Sequence, residues 1–178
     1  MRTPFLVAAI ALVTVSLPAF PGAQVQKSER EGIRNFSRVD ATVACGGAVE
    51  PSAYPALKRD GFTSVINLRL ASEEGANVEQ AKAAAASAGL KYIHLPFNAA
   101  APDSKVVDSF LAAVADKANQ PVLIHCGSAN RVGGMWMIKR VLQDGWAMDR
   151  AREEAQAIGL TSPQIAAFAT EYINTHRR

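Results

Sequence analysis

PVLIHCGSANRVGGMWMIKRVL, residues 121–142, decides how the chain is read. A short apolar run of Val122, Leu123 and Ile124 ends in His125 and Cys126. Gly127, Ser128, Ala129 and Asn130 make a small polar turn, and Arg131 opens a helical pattern that runs to Gln143, with Gly145 as its stop. The order is strand, loop, helix. A loop placed there gathers unpaired backbone N–H groups, and the helix dipole adds partial positive charge, so it is suited to an anion. Cys126 stands at its mouth, where amides, dipole and the Arg131 guanidinium favour the thiolate and make it the candidate nucleophile. Arg131 carries the planar fork that grips two oxygens of a phosphate or similar oxyanion.

The flanking sequence predicts alternating strands and helices. Residues 36–44 read as a first strand ended by Gly46 and Gly47, residues 52–60 as a short helix stopped by Gly61, and residues 62–68 as a buried second strand. Asn77 opens an alanine-rich helix that runs to Ala88 with Gly89 at its end, and residues 92–96 make the third strand. Asp103 or Ser104 starts a helix with an apolar stripe at Val106, Val107, Phe110, Leu111 and Val114, and residues 121–125 are the fourth strand. Two more helices follow, over residues 146–158 and from Ser162-Pro163 to His176. The expected fold is α/β: a mostly parallel sheet of four to five strands flanked by helices, with a helical C-terminal segment.

The motif HCGSANRVG resembles the phosphate-binding loop of the cysteine-dependent protein tyrosine and dual-specificity phosphatases. Residues 44–160, about two thirds of the chain, resemble more closely the bacterial phosphatase-like domain called beta-lactamase hydrolase-like, or DUF442. The matching pieces are CGGAVEP, GFTSVINLR, AKAAAASAGLKYIHLPF and PVLIHCGSANRVGGMW, and GWAMDRAREEA is similar to the segment that follows the catalytic helix in dual-specificity phosphatases. The resemblance implies attack of Cys126 on phosphorus, a phosphocysteine, a dual-specificity-phosphatase-like fold over residues 36–178, and no cofactor. Its substrates would be a phosphorylated protein or a small phosphate ester. It also implies a catalytic aspartate just past Pro96 and a hydroxyl residue after the arginine, where this chain has Phe97-Asn98-Ala99-Ala100 and Val132. Four residues separate Cys126 from Arg131, whereas the main phosphatase family has five and the sulfur-carrying rhodaneses four. A sulfurtransferase that forms a persulfide on Cys126 is therefore one alternative. An oxyanion-binding or redox-sensing module without turnover is another.

The remaining candidates gather at the carboxyl ends of the strands, where ligands lie in open parallel sheets. Gly127, Ser128, Ala129 and Asn130 line the anion. Ser128 is placed to donate to the thiolate or the anion, and Asn130 to take the left-handed backbone that the turn needs. His125 is read as packing beneath the loop and ordering it. Arg69 either adds a second charge to the oxyanion site or pairs with Glu73 or Glu74. Asp103, the first carboxylate past the third strand, is either the general acid and base or the N-cap of the next helix. Cys45 is either a small buried residue or a redox partner of Cys126. His94, His125, His176 and the two cysteines lack metal-ligand spacing.

Composition sets the class. With 49% hydrophobic and 20% charged residues in 178, the chain has material for one real core. Residues 1–23 read as a secretory signal peptide: Arg2, an apolar run from Phe5 to Leu17, Pro18, and small residues at Gly22 and Ala23. An uncleaved anchor is the alternative, although the run is short for a span. Cleavage near Ala23 removes only Arg2 from the charged residues and leaves 18 basic against 16 acidic, a net charge of +2 with no basic cluster. That argues against nucleic-acid binding. Export places the protein in the periplasm or outside the cell, with no stable membrane span after cleavage. Residues 24–35, polar and without period, read as a linker.

Overall fold

The computed structural model describes residues 25–177, so the leader lies outside the described residues. The strands are β1 (Gln26–Lys27), β2 (Ser37–Arg38), β3 (Val43–Gly46), β4 (Ser64–Asn67), β5 (Lys91–His94) and β6 (Val122–His125). They form one sheet in the order β1-β2-β3-β6-β4-β5. From β3 to β5 the neighbours are parallel, and β1 and β2 are added antiparallel at one edge. Helices α1 (Tyr54–Arg59), α2 (Val78–Ser87), α3 (Ser104–Ala115), α4 (Asn130–Leu142), α5 (Met148–Ile158) and α6 (Pro163–His176) cover it. The mostly parallel α/β architecture with a helical end is the one expected.

Alternation along the strands divides the core into two layers. Ala44, Val65 and Leu123 face α1 and α2, where they meet Tyr54, Leu57, Ala81 and Ala85. Cys45, Ile66, Ile124 and Cys126 face the other way, onto α3 to α6. β4 and β6 are buried along their whole length, as strands covered on both faces must be. On α3 the buried positions are Val107, Phe110 and Val114, the inner part of the predicted stripe.

Two expectations fail at the N-terminal edge. The strand expected over residues 36–44 is broken in the middle. Asp40 Oδ1 accepts from the N–H of Thr42 (2.8 Å) and of Val43 (3.0 Å), so the chain turns there and β2 folds back on β3. Residues 24–35 are not a plain linker either. Gln26 and Lys27 pair with Arg38 and Ser37, and Ile33 is buried. The pairing is main chain to main chain, so it leaves no hydrophobic period in the sequence.

α4 is buried on nearly all sides from Val132 to Ile138 and packs closely on α5 and α6. A Cβ at Gly133 would stand 2.7 Å from the Ala155 carbonyl oxygen and 2.9 Å from Leu160 Cβ. Beyond that contact Arg140 is sandwiched between Trp136 and Trp146, its Cζ 4.8 Å and 4.2 Å from the two ring centroids. Glu154 holds the group together: Oε2 accepts from Trp136 Nε1 (2.7 Å) and Arg140 Nε (2.6 Å), a charge pair shielded from water and fully hydrogen-bonded.

Gly133→Ala therefore forces α4 away from α5. The expected result is a loss of about 1–3 kcal/mol in urea unfolding, as for overpacked cores; an unchanged midpoint would show that the helices part without strain.

Candidate active site

The parallel strands end together, and the chain leaves β6 into Cys126, Gly127, Ser128 and Ala129 before α4 begins. Each residue of this loop is tied to a neighbour. Cys126 N–H donates to Gly46 O (3.3 Å), Ala48 N–H to Gly127 O (3.1 Å), and Asn35 Nδ2 to Ser128 O (3.2 Å). Cys126 is 1% exposed, at the base of the loop, whereas Ser128 is exposed at its rim.

The left-handed residue is Ala129 (φ 73), not Asn130 as expected. Asn130 is already the first residue of α4, and its side chain has another task. Oδ1 accepts from the N–H of Thr161 (2.8 Å) and of Ser162 (2.7 Å), and Nδ2 donates to Thr161 Oγ1 (2.8 Å). The asparagine thus fastens the loop to the α5–α6 connection. Ala129 fits because Gly159 lies against it: a Cβ at Gly159 would stand 3.0 Å from the Ala129 methyl. That glycine also has φ 147, which side chains rarely adopt.

Arg131 points back over the loop and is held by a residue that the motif does not contain. Glu73 accepts from it in the two-pronged manner, Oε1 from Nη1 at 2.5 Å and Oε2 from Nη2 at 2.8 Å. Nη1 also reaches the carbonyls of Leu68 and Phe97, both at 3.3 Å. Burial works against the guanidinium charge, but Glu73 and then the Cys126 sulfur outweigh it and raise the pKa of Arg131. Burial likewise disfavours the Glu73 charge, yet the hydrogen bonds from Arg131, the Leu70 N–H and Arg69 lower its pKa to about 2. Glu73 is therefore a fixed anion, and the sequence offered only its spacing four residues after Arg69 as a sign.

Of its two expected partners Arg69 pairs with the carboxylate of Glu73, whereas Glu74 offers only its main-chain carbonyl. Nε donates to Glu73 Oε2 (3.3 Å), Nη1 to Gly75 O (2.9 Å) and Nη2 to Glu74 O (2.5 Å). Its donors are thus engaged with the 73–75 turn, from which it braces Glu73. His125 is buried at the end of β6, where desolvation lowers its pKa to about 4 against the opposing pull of the Cys126 and Gly47 backbone. The ring is neutral at physiological pH and sits under the loop. Asp103 caps α3, its Oδ1 accepting from Lys105 N–H at 2.9 Å, and it is exposed. Val132 lies fully buried where the resembling phosphatases carry a hydroxyl.

Cys45 and Cys126 are free thiols on one face of the sheet, because Cys45 pairs in register with Ile124, two residues before Cys126. Burial, followed by the charges of Glu154 and Asp40, raises the Cys45 pKa well above the ordinary thiol value, so Cys45 is protonated. Among the described residues no three His, Cys, Asp or Glu side chains converge on a metal position, and no helix is long and apolar enough to cross a membrane.

Residues 35–143 match the family model described as beta-lactamase hydrolase-like protein, phosphatase-like domain. The chain belongs to this family. No curated protein matches it by sequence. Solved structures show where the beta-lactamase hydrolase-like phosphatase fold recurs. The structure of a DUF442 protein from Shewanella putrefaciens is similar with a TM-score of 0.71 at 21% identity, over 83% of this chain and 97% of that one. P. aeruginosa TpbA is similar at 0.65 and 23%, over 87% and 91%. The core catalytic domain of the S. cerevisiae PP-IP phosphatase SIW14 is similar at 0.62 and 21%, over 77% and 84%.

The Glu73 pairing makes a prediction about stability. The folded pKa lies below the ordinary 4.5, so the contribution is complete above pH 4.5 and is lost as the pH falls towards 2. Glu73→Gln should lower stability at pH 7 by roughly 2 kcal/mol, allowing for partial exposure, and should flatten the decline between pH 4.5 and 2. Urea midpoints against pH measure both, and parallel curves for the two proteins would rule the pairing out.

Proposed function

We propose that the chain is an exported cysteine-dependent phosphatase that cleaves a phosphate monoester through a phosphocysteine on Cys126. One observation carries this reading: at the base of a loop that opens a helix, Cys126 has as its neighbour an arginine held in place by a dedicated carboxylate. Family membership supports the same chemistry. A variant of P. aeruginosa TpbA is known in complex with pTyr, which is in keeping with a phosphate ester as substrate.

In this mechanism the thiolate of Cys126 attacks phosphorus while the P–O bond to the leaving group breaks. The N–H groups of the loop and the free edge of Arg131 receive the charge on the equatorial oxygens. Fixed by Glu73, Arg131 needs little rearrangement as that charge develops. Water then attacks the phosphocysteine, phosphate leaves and the thiolate returns. Asp103 is proposed to protonate the leaving oxygen and to accept the proton of water; one of its oxygens remains free of the α3 cap. Ser128 would donate to the bound phosphate from the rim, and neutral His125 would support the loop from below.

The four-residue spacing favours one second reading, sulfur transfer through a persulfide on Cys126. Cyanide-dependent formation of thiocyanate from thiosulfate distinguishes it.

The mature protein should hydrolyse an aryl phosphate, and Cys126→Ser should reduce the rate by at least about a thousandfold, as for a lost nucleophile. Asp103→Asn should slow alkyl phosphates by about a hundredfold and aryl phosphates far less, because an aryl leaving group departs without a proton. Equal effects on both would assign Asp103 to capping alone. The exported chain should begin just after Ala23, which N-terminal sequencing of periplasmic protein checks.

A further inference from the structure

The phosphate loop opens on one side into a cleft of about 550 Å³, within the size range of small-ligand sites. Gly127 and Ser128 form one wall and Arg34 another. The main chain of Arg34 is fixed on both sides: its N–H donates to Ala48 O (2.9 Å) and its carbonyl accepts from Gly47 N–H (2.7 Å). The next residue, Asn35, is the one that holds Ser128 O. The arginine is therefore placed against the loop by the same few hydrogen bonds that shape the loop itself. Its side chain is exposed and makes no hydrogen bond, ion pair or aromatic stack among the described residues. Arg69, which also lines the cleft, donates from each of its three nitrogens to the 73–75 turn. Arg34 is thus the cleft cation with its fork unused.

The acidic residues of the cleft narrow what that fork can be for. Glu50 and Glu74 line it as well, both exposed. They repel negative charge, so an anionic group on the ligand is welcome only towards Arg34. A guanidinium presented this way binds phosphate or carboxylate through two parallel N–H bonds.

We propose that Arg34 anchors a second anionic group of the substrate, and that the substrate is a small phosphate ester carrying two anionic groups: the reacting phosphate on loop 126–131 and a phosphate or carboxylate on Arg34. This rests on the phosphatase reading and narrows it from any phosphate ester to a bis-anionic one. More heavily charged compounds are disfavoured by Glu50 and Glu74.

The test is binding, so it does not depend on turnover. Calorimetry on the mature protein compares methylphosphonate with alkane bisphosphonates and with phosphonocarboxylates, each with chains of increasing length. At one chain length a two-headed ligand should bind about tenfold or more tightly than methylphosphonate, the scale of one charge-assisted contact. Arg34→Ala should reduce that ratio to below about threefold, and Arg34→Lys should restore part of it. Which two-headed series shows the gain identifies phosphate or carboxylate as the second group. Methylphosphonate binding with no gain at any length, or a gain that survives Arg34→Ala in a variant with wild-type melting behaviour, would overturn the assignment of Arg34 while leaving the phosphatase reading standing. Absence of methylphosphonate binding to the wild type would overturn both.

Discussion

Two guanidinium groups held on one carboxylate at the end of the sheet repel each other and resist desolvation, and that single carboxylate makes the arrangement stable. Glu73 accepts from Arg131 with both oxygens and from Arg69 with one. Breaking such a pair is far more damaging than the net stabilisation of the intact pair suggests, because it strands a charge where water reaches poorly. The turn after β4, the position of Arg131 and the shape of the anion loop all depend on this carboxylate. It also occupies the Nη1/Nη2 edge of Arg131, so that the guanidinium is held in one orientation beside the loop.

The second dependence is steric. An anion loop at a helix start is only as rigid as the helix, and α4 is held by its lack of side chains where α5 and α6 approach. Gly133 admits the Ala155 carbonyl, and Gly159 admits the methyl of a left-handed Ala129. Asn130 closes the contact with three hydrogen bonds to Thr161 and Ser162. Loop conformation and helix packing are therefore one structural unit, from the sheet to the start of α6.

What could be read from the sequence follows from what is local. The strand, loop and helix around Cys126 are written in consecutive residues, and so are the stripe of α3 and the Ser162-Pro163 start of α6. The parallel sheet followed from the alternation of elements. Contacts between distant segments left no such trace. β1 and β2 are two residues each and are joined by backbone pairing, which any sequence can supply. Glu73 is 58 residues from Arg131, and only its spacing from Arg69 pointed to a charge pair. The left-handed position went to Ala129 rather than Asn130 because a tertiary contact, the glycine opposite, overrode the intrinsic preference of asparagine. For Asp103 the sequence offered a cap and an acid, and the hydrogen bond to Lys105 belongs to the cap without involving its second oxygen.

The chain has two tryptophans, and both stack on Arg140 at the far end of α4. Trp136 is buried and hydrogen-bonded to Glu154. Intrinsic fluorescence is thus concentrated in one cationic stack that joins α4 to α5, with no indole in the cleft beside loop 126–131. The emission of this protein is a natural gauge of whether α4 and α5 are packed together. Occupancy of the proposed site has to be followed by another signal, and a ligand that did alter the emission would be reporting movement carried along α4.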